Sequence, residues 1–309
     1  MKKSTLITSS GASTRIEGAD LSDTDVKKLL SGLKIQKLHD RSQCEVAGYA
    51  ELTKLIFDHH SAIKWNENEI KHLHKILLKY SEKDSHHRGK YKVGSNAVIA
   101  RDSMGNETVI FNPTPPYLIP KEMSELTDFT IQNLKSGEFH PLIIIGNFVC
   151  EFLAIHPFQD GNGRLSRALT NLLLLQNGYS YIQYISLEKI IEERKIAYYI
   201  SLRESQKKRE NREHNIEPWI GFFLDTLIEQ TVRAKAVLQR KDIENELSGN
   251  QTIVFELLKS SSHPVSVKEI VEKTRINRNT VKKVLLRLRE LKVAKQIGLG
   301  RGGRWSNGS

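Results

Sequence analysis

The sequence predicts a mainly helical protein with one β-hairpin in its first half and a small, basic α+β domain at its C-terminus. Apolar residues recur at helical spacing through most of residues 26–238, which predicts amphipathic helices. Two short apolar runs enclose a turn-rich hexapeptide, the pattern of a hairpin. Residues 251–309 hold 13 Lys and Arg against 4 Asp and Glu, so they carry most of the net charge of +11.

These patterns divide the chain into four segments. Its 309 residues suffice for about two domains. We expect an N-terminal helical region over residues 1–85 and a larger helical core over residues 86–238. Residues 239–250 lose apolar periodicity and are predicted to form a linker to the basic domain at 251–309.

The helices are predicted in order along the first two segments, and Asn177 and Gly178 provide a C-terminal stop for one of them. The hairpin strands are predicted at residues 96–101 and 108–112. The mixed-charge run 207–217 is typical of solvated surface. The predicted helices cover residues 26–38, 46–57, 68–80, 123–134, 141–155, 164–176, 190–206 and 218–238.

The most informative segment is residues 156–167, His-Pro-Phe-Gln-Asp-Gly-Asn-Gly-Arg-Leu-Ser-Arg. The residue before a proline is biased away from helical geometry, so His156 is expected at a helix exit facing a cleft. Gly161 and Gly163 allow a ligand to approach the main chain closely. The helix that starts near Arg164 would direct its N-terminus at the same place, where free amides and the dipole favour an anion such as phosphate.

Charged side chains around this loop suit the same chemistry. Arg164 and Arg167 lie three residues apart, so both project from one side of the first helical turn. Cations oppose the dipole at a helix N-terminus, and bound phosphates would resolve that conflict. Asp160 offers a hard oxygen ligand for Mg²⁺, and His156 ordinarily titrates near neutrality, as a general base does. Singly, such residues are common in turns and on solvated helix faces, but together they predict a nucleotide site with a base.

The pattern His-x-Phe-x-Asp-Gly-Asn-Gly-Arg-x-x-Arg resembles the signature of Fic-domain proteins, which mostly transfer AMP from ATP to a hydroxyl side chain of a target protein. The resemblance implies that His156 is the catalytic base, Phe158 an anchor in the core and Asp160 the Mg²⁺ ligand. The nucleotide-binding residues that it implies are Gly161, Asn162, Gly163, Arg164 and Arg167. The two arginines would reach the β and the γ phosphate, respectively.

Residues 13–18, Ser-Thr-Arg-Ile-Glu-Gly, permit two interpretations. One is a capping box, with Thr14 as the N-cap of a helix and Glu17 three residues later. The other is a resemblance to the inhibitory motif of Fic proteins, which begins here at Ser13 and lies on a leading helix. That resemblance implies an ion pair between Glu17 and Arg167, which would occupy the donors that the γ phosphate needs.

The predicted hairpin is similar to the flap of Fic proteins, an exposed hairpin that holds the backbone of the target by strand addition. An ordinary two-stranded appendage is the alternative. Tyr198 and Tyr199 fall where family members often place an aromatic residue beside adenine, although tyrosines at this spacing also pack in cores.

Residues 251–309 look like a winged helix-turn-helix domain, with helices at 252–258, 267–273 and 279–291 and a basic hairpin at 295–305. Such domains place a recognition helix in the major groove of duplex DNA. A dimerisation or docking module is the alternative. The residues expected to contact DNA are Arg278, Asn279, Lys282 and Lys283 on the recognition helix and Arg301 and Arg304 on the wing.

Composition indicates a cytoplasmic protein. Cys44 and Cys150 are too few for a disulfide framework and lie in no C-x-x-C pattern. Lys2 and Lys3 precede an apolar stretch that is too short for a signal peptide. Since no apolar run has the length of a membrane span, we expect no membrane partner.

Three functions are compatible with these patterns. The first is an autoinhibited protein adenylyltransferase that uses ATP as co-substrate with Mg²⁺ and modifies a Ser, Thr or Tyr hydroxyl of a target protein. The second is an ATP-sensing, DNA-binding transcription regulator with a catalytically silent site. The third is another transfer by the same fold, such as phosphorylation, phosphocholine transfer or removal of AMP. The intact His156 and the unaltered segment 161–167 favour the first, and formation of a homo-oligomer is left open.

Overall fold

A computed structural model describes residues 2–32, 38, 40–94, 98–101, 107–207, 209, 215–298 and 303–308 of the chain, with only the backbone described for residues 98–101, 107–111 and 240–246. The chain forms two compact units, Met1–Ala234 and Lys235–Ser309. The prediction of a mainly helical protein with few strands is confirmed. Within the described ranges, every helix is too short or too polar to cross a membrane.

The first unit is helical apart from one hairpin. Short 3₁₀ turns occur at Pro116–Leu118, after the hairpin, and at Ser180–Gln183, between two helices. Its elements in chain order are α1 (Lys2–Ile16), α2 (Asp23–Gly32), α3 (Arg41–His59), α4 (Glu67–Leu77), β1 (Val98–Arg101), β2 (Glu107–Phe111), α5 (Ile119–Ser136), α6 (Pro141–Ile155), α7 (Asn162–Gln176), α8 (Leu187–Glu193), α9 (Lys195–Gln206) and α10, which starts at Glu217 and continues to Glu246.

The core of this unit is centred on α6 and α7. The helix α6 is almost wholly apolar and begins with Pro141, whose fixed φ suits a first helical position. Phe148 and Phe152 of α6 and Leu169 of α7 are completely buried. Burial of each such side chain stabilises the fold by about 1.5–3 kcal/mol relative to exposure. A rigid pair of helices therefore flanks the loop that carries the signature residues.

The N-terminal helix α1 consists largely of small and polar residues, yet most of it is buried against α3 and α8. Its last turn contains Thr14, so the capping-box interpretation is wrong: Thr14 ends a helix and does not begin one. The hydroxyl of Thr14 donates to the carbonyl of Ser10 at 2.9 Å. Glu17 follows directly after the end of the helix, and its N–H donates to the carbonyl of Thr14 at 3.1 Å.

The predicted hairpin is confirmed as an antiparallel pair of β1 and β2, in which Ala100 lies opposite Thr108. The register is irregular between Val98 and Ile99. The turn residues 102–106 and the start of the first predicted strand lie outside the described residues.

Two predictions about the helices after the signature need correction. The single helix predicted at 190–206 is two helices, α8 and α9, which are separated at Arg194. The linker predicted at 239–250 is mostly helical, because α10 continues to Glu246 and the next helix begins at Gly249. The segment is rich in Arg, Lys and Glu, which favour helix without needing an apolar stripe.

The second unit has its own apolar core, which includes Phe255, Leu285 and Trp305. Its antiparallel sheet has the strand order β3 (Val265–Ser266), β5 (Arg304–Asn307), β4 (Ala294–Ile297). The three helices and the terminal hairpin occur where the sequence predicts them. The elements after α10 are α11 (Gly249–Ser260), β3 (Val265–Ser266), α12 (Val267–Thr274), α13 (Arg278–Glu290), β4 (Ala294–Ile297) and β5 (Arg304–Asn307).

Candidate active site

The candidate active site lies on the loop between α6 and α7. His156 adopts a left-handed conformation, with φ 50° and ψ 59°, and turns the chain out of α6 just before Pro157. Phe158 then enters the core, where its ring stacks on that of His74 with the centroids 3.8 Å apart. Phe158 is completely buried and thus anchors the loop against His74 of α4.

Two side chains fasten this loop. The Oδ1 atom of Asn162 accepts from the N–H of Phe158 at 2.9 Å, and its Nδ2 donates to the carbonyl of Phe158 at 2.8 Å. Asn162 would therefore contribute to anion binding through its backbone N–H. His74 donates from Nε2 to the carbonyl of Asp160 at 2.9 Å and accepts at Nδ1 from the N–H of Gly89, also at 2.9 Å. His74 could not be recognised from the sequence, because a single histidine in a helix carries no signal of its distant partners.

His156 is a neutral base in this environment. Its Nδ1 lies 3.3 Å from the carbonyl oxygen of Leu153, which can only accept, so Nδ1 carries the hydrogen and Nε2 keeps its lone pair. Burial, reinforced by the positive charge of Lys92, lowers the pKa of His156 to about 4. The residue type predicts that His156 titrates near neutrality. Its pKa lies lower because burial removes water from around the ring. The imidazole is thus unprotonated at pH 7.

The carboxylate of Glu17 lies beside the N-terminus of α7. Gly161 caps this helix in a left-handed conformation with φ 83°, and the first amides of a helix have no partner within it. A side chain at Gly163 would collide with the carboxylate of Glu17. The carboxylate therefore fills the space beside the helix terminus, where the dipole favours negative charge.

The same carboxylate binds Arg167, whose side chain is only 2% exposed. The guanidinium donates from Nη2 to Oε1 of Glu17 at 2.8 Å and to the carbonyl of Ser13 at 2.8 Å, and from Nε to the hydroxyl of Ser13 at 2.9 Å. Burial alone would lower the pKa of Arg167, but the attraction of Glu17 outweighs burial and the pKa is raised. The guanidinium therefore stays charged. The structure thus brings together the three residues of the implied inhibitory contact.

Alternating charges surround Asp160. Its Oδ2 lies 3.2 Å from Nη2 of Arg164, and Nη1 of Arg164 lies 3.4 Å from Oε2 of Glu45. Arg41 donates from Nε to Oε1 of Glu45 at 2.8 Å. Burial would raise the pKa of Asp160, but the attraction of Arg164 lowers it, so the carboxylate is ionised. Glu45 and Arg41 lie on α3, far from the signature in the sequence. No sequence pattern therefore connected them with the site.

The carboxylate of Asp160 has the chemistry of a ligand for a Mg²⁺ ion that also binds phosphate oxygens. Across the residues that the structure describes, no three His, Cys, Asp or Glu side chains group closely enough to hold a metal ion. Mg²⁺ is commonly held by one or two carboxylates together with phosphate oxygens and water. The ionised carboxylate of Asp160 is 37% exposed and provides one such ligand. The donor set is therefore compatible with Mg²⁺ that arrives with a nucleotide.

The carboxylate of Glu188 on α8 fastens α1 to the core. Its Oε2 accepts from the hydroxyls of Ser9 and Ser186 at 2.7 and 2.9 Å. Its Oε1 accepts from the hydroxyl of Tyr49 at 2.8 Å and from the amide of Asn171 at 2.6 Å. These four hydrogen bonds compensate for the loss of water around a completely buried carboxylate. The position of Glu17 thus depends on contacts far from the signature.

The two tyrosines of α9 have different environments. Tyr198 is buried, and its ring centroid lies 5.8 Å from that of Trp219. Tyr199 is 44% exposed, and its hydroxyl donates to the carbonyl of Ile16 at 3.3 Å. Tyr198 therefore packs in the core, whereas Tyr199 lies beside the end of α1.

The candidate DNA-contacting residues belong to the second unit. The exposed residues in the first two turns of α13 include Arg278, Asn279, Lys282 and Lys283. Arg304 on β5 is also exposed and donates from Nη1 to the carbonyl of Pro264 at 3.1 Å. Arg301 lies outside the described residues.

The comparisons with known proteins agree with this geometry. Residues 64–174, which include the whole loop, match the model of the Fic/DOC family. A probable protein adenylyltransferase of Aquifex aeolicus is 37% identical over 81 residues, which cover 26% of this chain and 24% of that protein. A protein adenylyltransferase and cysteine protease of Histophilus somni is 30% identical over 87 residues, or 28% of this chain and 2% of that protein. The matches thus span a quarter or less of the length of these relatives.

A solved structure of a Fic family protein from Desulfovibrio desulfuricans is similar in fold, with a TM-score of 0.59 at 21% identity. The similarity covers 99% of this chain and 87% of that one. Residues 64–174, which contain the signature loop, are thus similar to the Fic/DOC family. Of the two relatives, one is named a probable protein adenylyltransferase and the other a protein adenylyltransferase and cysteine protease.

Proposed function

We propose that this chain transfers AMP from ATP to a Ser, Thr or Tyr hydroxyl of a target protein and that Glu17 inhibits the transfer. The observation that carries this proposal is the placement of His156, Asp160, Arg164 and Arg167 around the N-terminus of α7, with Glu17 bound to Arg167. The names of the relatives support the same reaction.

In this reaction the hydroxyl oxygen of the target forms a bond to the α phosphorus of ATP. The bond from that phosphorus to the oxygen that bridges the β phosphate breaks, and pyrophosphate leaves. Nε2 of His156 accepts the hydroxyl proton, which contributes about 10²- to 10⁴-fold to the rate. Because its pKa is lowered to about 4, His156 needs no prior deprotonation at physiological pH.

Arg164 and Arg167 would bind the β and γ phosphates. Among the described side chains, Nε and Nη1 of Arg164 and Nη1 of Arg167 are buried donors without a hydrogen-bond partner. A buried donor without a partner costs free energy of folding. Phosphate oxygens would accept charge-assisted hydrogen bonds from these donors. Asp160 would hold Mg²⁺, which supplies neutralisation of the charge on the leaving pyrophosphate.

Inhibition follows from competition for Arg167. The carboxylate of Glu17 takes one of its donors and fills the space beside Gly163. A γ phosphate would need both the donor and the space. ATP would therefore bind without its terminal phosphate in place, and its α phosphorus would not be aligned with the incoming hydroxyl.

The hairpin would hold the target. Strand addition uses main-chain hydrogen bonds, which give affinity without strong selection of side chains. The antiparallel pair of β1 and β2 offers strand edges for such an addition. The hydroxyl of a bound segment would then be presented to His156.

We also propose that the second unit is a winged helix domain that binds duplex DNA. This proposal is supported by the order of its three helices and hairpin and by the exposed basic residues on α13. A recognition helix of this kind enters the major groove, and Lys and Arg side chains around it neutralise phosphates.

The test of the enzymatic proposal is to incubate the Glu17→Gly variant with ATP labelled on the α phosphate and, in parallel, with ATP labelled on the γ phosphate. Only the α label is expected on protein, and the Glu17→Gly/His156→Ala double variant should lose it. Label from the γ phosphate would indicate phosphorylation instead. Absence of both labels from the chain and from proteins of a cell lysate would contradict the proposal.

A further inference from the structure

We propose that Glu45 is a positioning residue that holds Arg164 in the orientation in which it binds the β phosphate of the nucleotide. The inference rests on the nucleotide site proposed above. Glu45 lies outside the signature, near the start of α3, and its side chain is only 10% exposed.

The need for such a residue follows from the burial of Arg164. Its side chain is 2% exposed, so its charge is withdrawn from water and depends on nearby anions. Two carboxylates lie near it: Asp160 accepts a hydrogen bond from Nη2 at 3.2 Å, and Glu45 forms an ion pair with Nη1 at 3.4 Å without a hydrogen bond. Asp160 belongs to the same loop, whereas Glu45 belongs to a separate helix.

The two carboxylates are not equivalent once a nucleotide binds. Asp160 is the more exposed of the two and is the proposed Mg²⁺ ligand, so its charge would then be shared with the metal ion. Glu45 is held from its other side by Arg41, whose Nε donates to its Oε1 at 2.8 Å. Glu45 would therefore be the carboxylate that stays with Arg164 while the remaining guanidinium donors bind the phosphate.

A purely electrostatic role is distinguishable from this positioning role. Loss of the negative charge would strengthen the attraction of the site for every phosphate, including that of AMP. A charge-conserving change acts differently. The Glu45→Asp variant keeps the charge but withdraws the carboxylate by about 1.5 Å, the length of one carbon–carbon bond. It should therefore affect only nucleotides that possess a β phosphate.

The test is calorimetric titration of ADP and AMP with Mg²⁺ present, so that Asp160 is engaged with the metal ion, in the Glu17→Gly background that frees the site. Glu45→Asp is expected to weaken ADP binding about tenfold, as loss of a supporting partner does at metal sites. AMP binding should change by less than about twofold, the usual limit of additivity. The matched control is Glu51→Asp on the same helix, whose carboxylate pairs with Lys79 at 2.7 Å and which should alter neither affinity.

A double-mutant cycle tests whether Glu45 acts through Arg164. In the Arg164→Ala background, Glu45→Asp should no longer weaken ADP binding. An equal effect with and without Arg164, or an equal loss for AMP and ADP, would overturn the proposal. If Glu45→Asp fails to fold, Arg41→Gln is the alternative variant, because it removes the partner of Glu45 at a side chain that is 72% exposed. It should weaken the binding of ADP but not that of AMP. Unchanged ADP binding by Arg41→Gln would overturn the proposal. Lack of ADP binding by the Glu17→Gly parent would overturn both the nucleotide site and this inference, whereas normal ADP binding by Glu45→Asp would overturn the inference alone.

Discussion

His156 combines neutrality with a fixed tautomer, and each property has its own cause. Burial keeps the ring unprotonated, whereas the carbonyl of Leu153 determines which nitrogen carries the hydrogen. A catalytic base needs both properties, because its lone pair must be available at the working pH and must face the proton that it removes.

Replacement of His156 by alanine is expected to lower the transfer rate about 10²- to 10⁴-fold with little change in ADP affinity, because the base acts on the hydroxyl and not on the nucleotide. Single-turnover labelling and calorimetry in the Glu17→Gly background measure the two quantities. His59→Ala, at an exposed position at the end of α3, serves as the control and should retain activity. Undiminished transfer by His156→Ala would remove the base from the mechanism.

Arg167→Ala should weaken ATP binding more than ADP binding, because only ATP has a γ phosphate. A charge-assisted hydrogen bond is worth about 1.5–3 kcal/mol, so the selective loss should exceed tenfold. Titration of both nucleotides in the Glu17→Gly background tests this expectation. Arg164→Ala is the comparison, because it should weaken both nucleotides. Equal losses of ATP and ADP in Arg167→Ala would contradict the role given to this arginine.

Stability should fall as the pH decreases from about 6.5 to about 4. Burial lowers the pKa of both His74 and His156 to about 4, so only the unfolded chain binds protons at these sites within this range. Each histidine adds up to about 1.4 kcal/mol per pH unit to the slope. Denaturant unfolding measures this slope, and His74→Phe, which keeps a ring against Phe158, should reduce it. An unchanged slope would show that His74 is not the source.

The site residues that could be predicted are those that the chain places next to one another. His156, Asp160 and Arg167 fall within twelve contiguous residues, so their spacing carries the signal. Glu45 and His74 reach the same loop from α3 and α4, and their placement depends on tertiary packing. The pKa of His156 also could not be predicted, because burial and not residue type determines its direction.

At the scale of single elements, α1 is the least predictable helix. Its buried face is formed by small residues such as Ser9, Gly11, Ala12 and Ser13, so no apolar periodicity marks it. The helix forms because close packing against α3 and α8 compensates for this weak pattern. By contrast, a nearly continuous apolar run marks α6, and the C-terminal stop at Asn177 and Gly178 marks the end of α7.

Inhibition by Glu17, which directly follows α1, should depend on the charge of its side chain. Glu17→Gln keeps the shape of the side chain but weakens its hold on Arg167, so its activity should lie closer to that of Glu17→Gly than to wild type. Self-labelling with ATP labelled on the α phosphate measures this order. Asp20→Asn, an exposed change nearby, should behave like wild type. If Glu17→Gly is as inactive as wild type on its own hydroxyls and in a lysate, Glu17 is not a brake.

At the scale of the whole molecule, charge separates the two units. The net charge of +11 comes mainly from residues 251–309, where apolar residues build a core of their own. Such a concentration of Lys and Arg on one small unit favours nucleic acid as a partner. The unit boundary, however, could not be read from periodicity, because α10 runs through it as a continuous helix.

The full chain is expected to bind duplex DNA with an affinity that falls steeply with salt, because each neutralised phosphate releases counterions. The double change Lys282→Ala and Lys283→Ala should reduce the slope of log affinity against log salt by about 2. Fluorescence anisotropy over a salt series measures it. Lys54→Ala with Lys121→Ala removes the same charge from the first unit and should leave the slope unchanged. Absence of binding at low salt would favour a protein-docking role for this unit.

The interface between α1 and the helices α3, α7 and α8 is unusual in being polar on both sides. Ser9 and Ser13 face Glu188 and Arg167, so separation would expose hydroxyls and charges and comparatively little hydrocarbon. Water can take the place of the protein partner at such an interface at a small cost in hydrophobic free energy. The surfaces exposed by separation would not be apolar patches that promote association. The stability of this interface should therefore depend on hydrogen bonds and ion pairs more than on the burial of apolar surface.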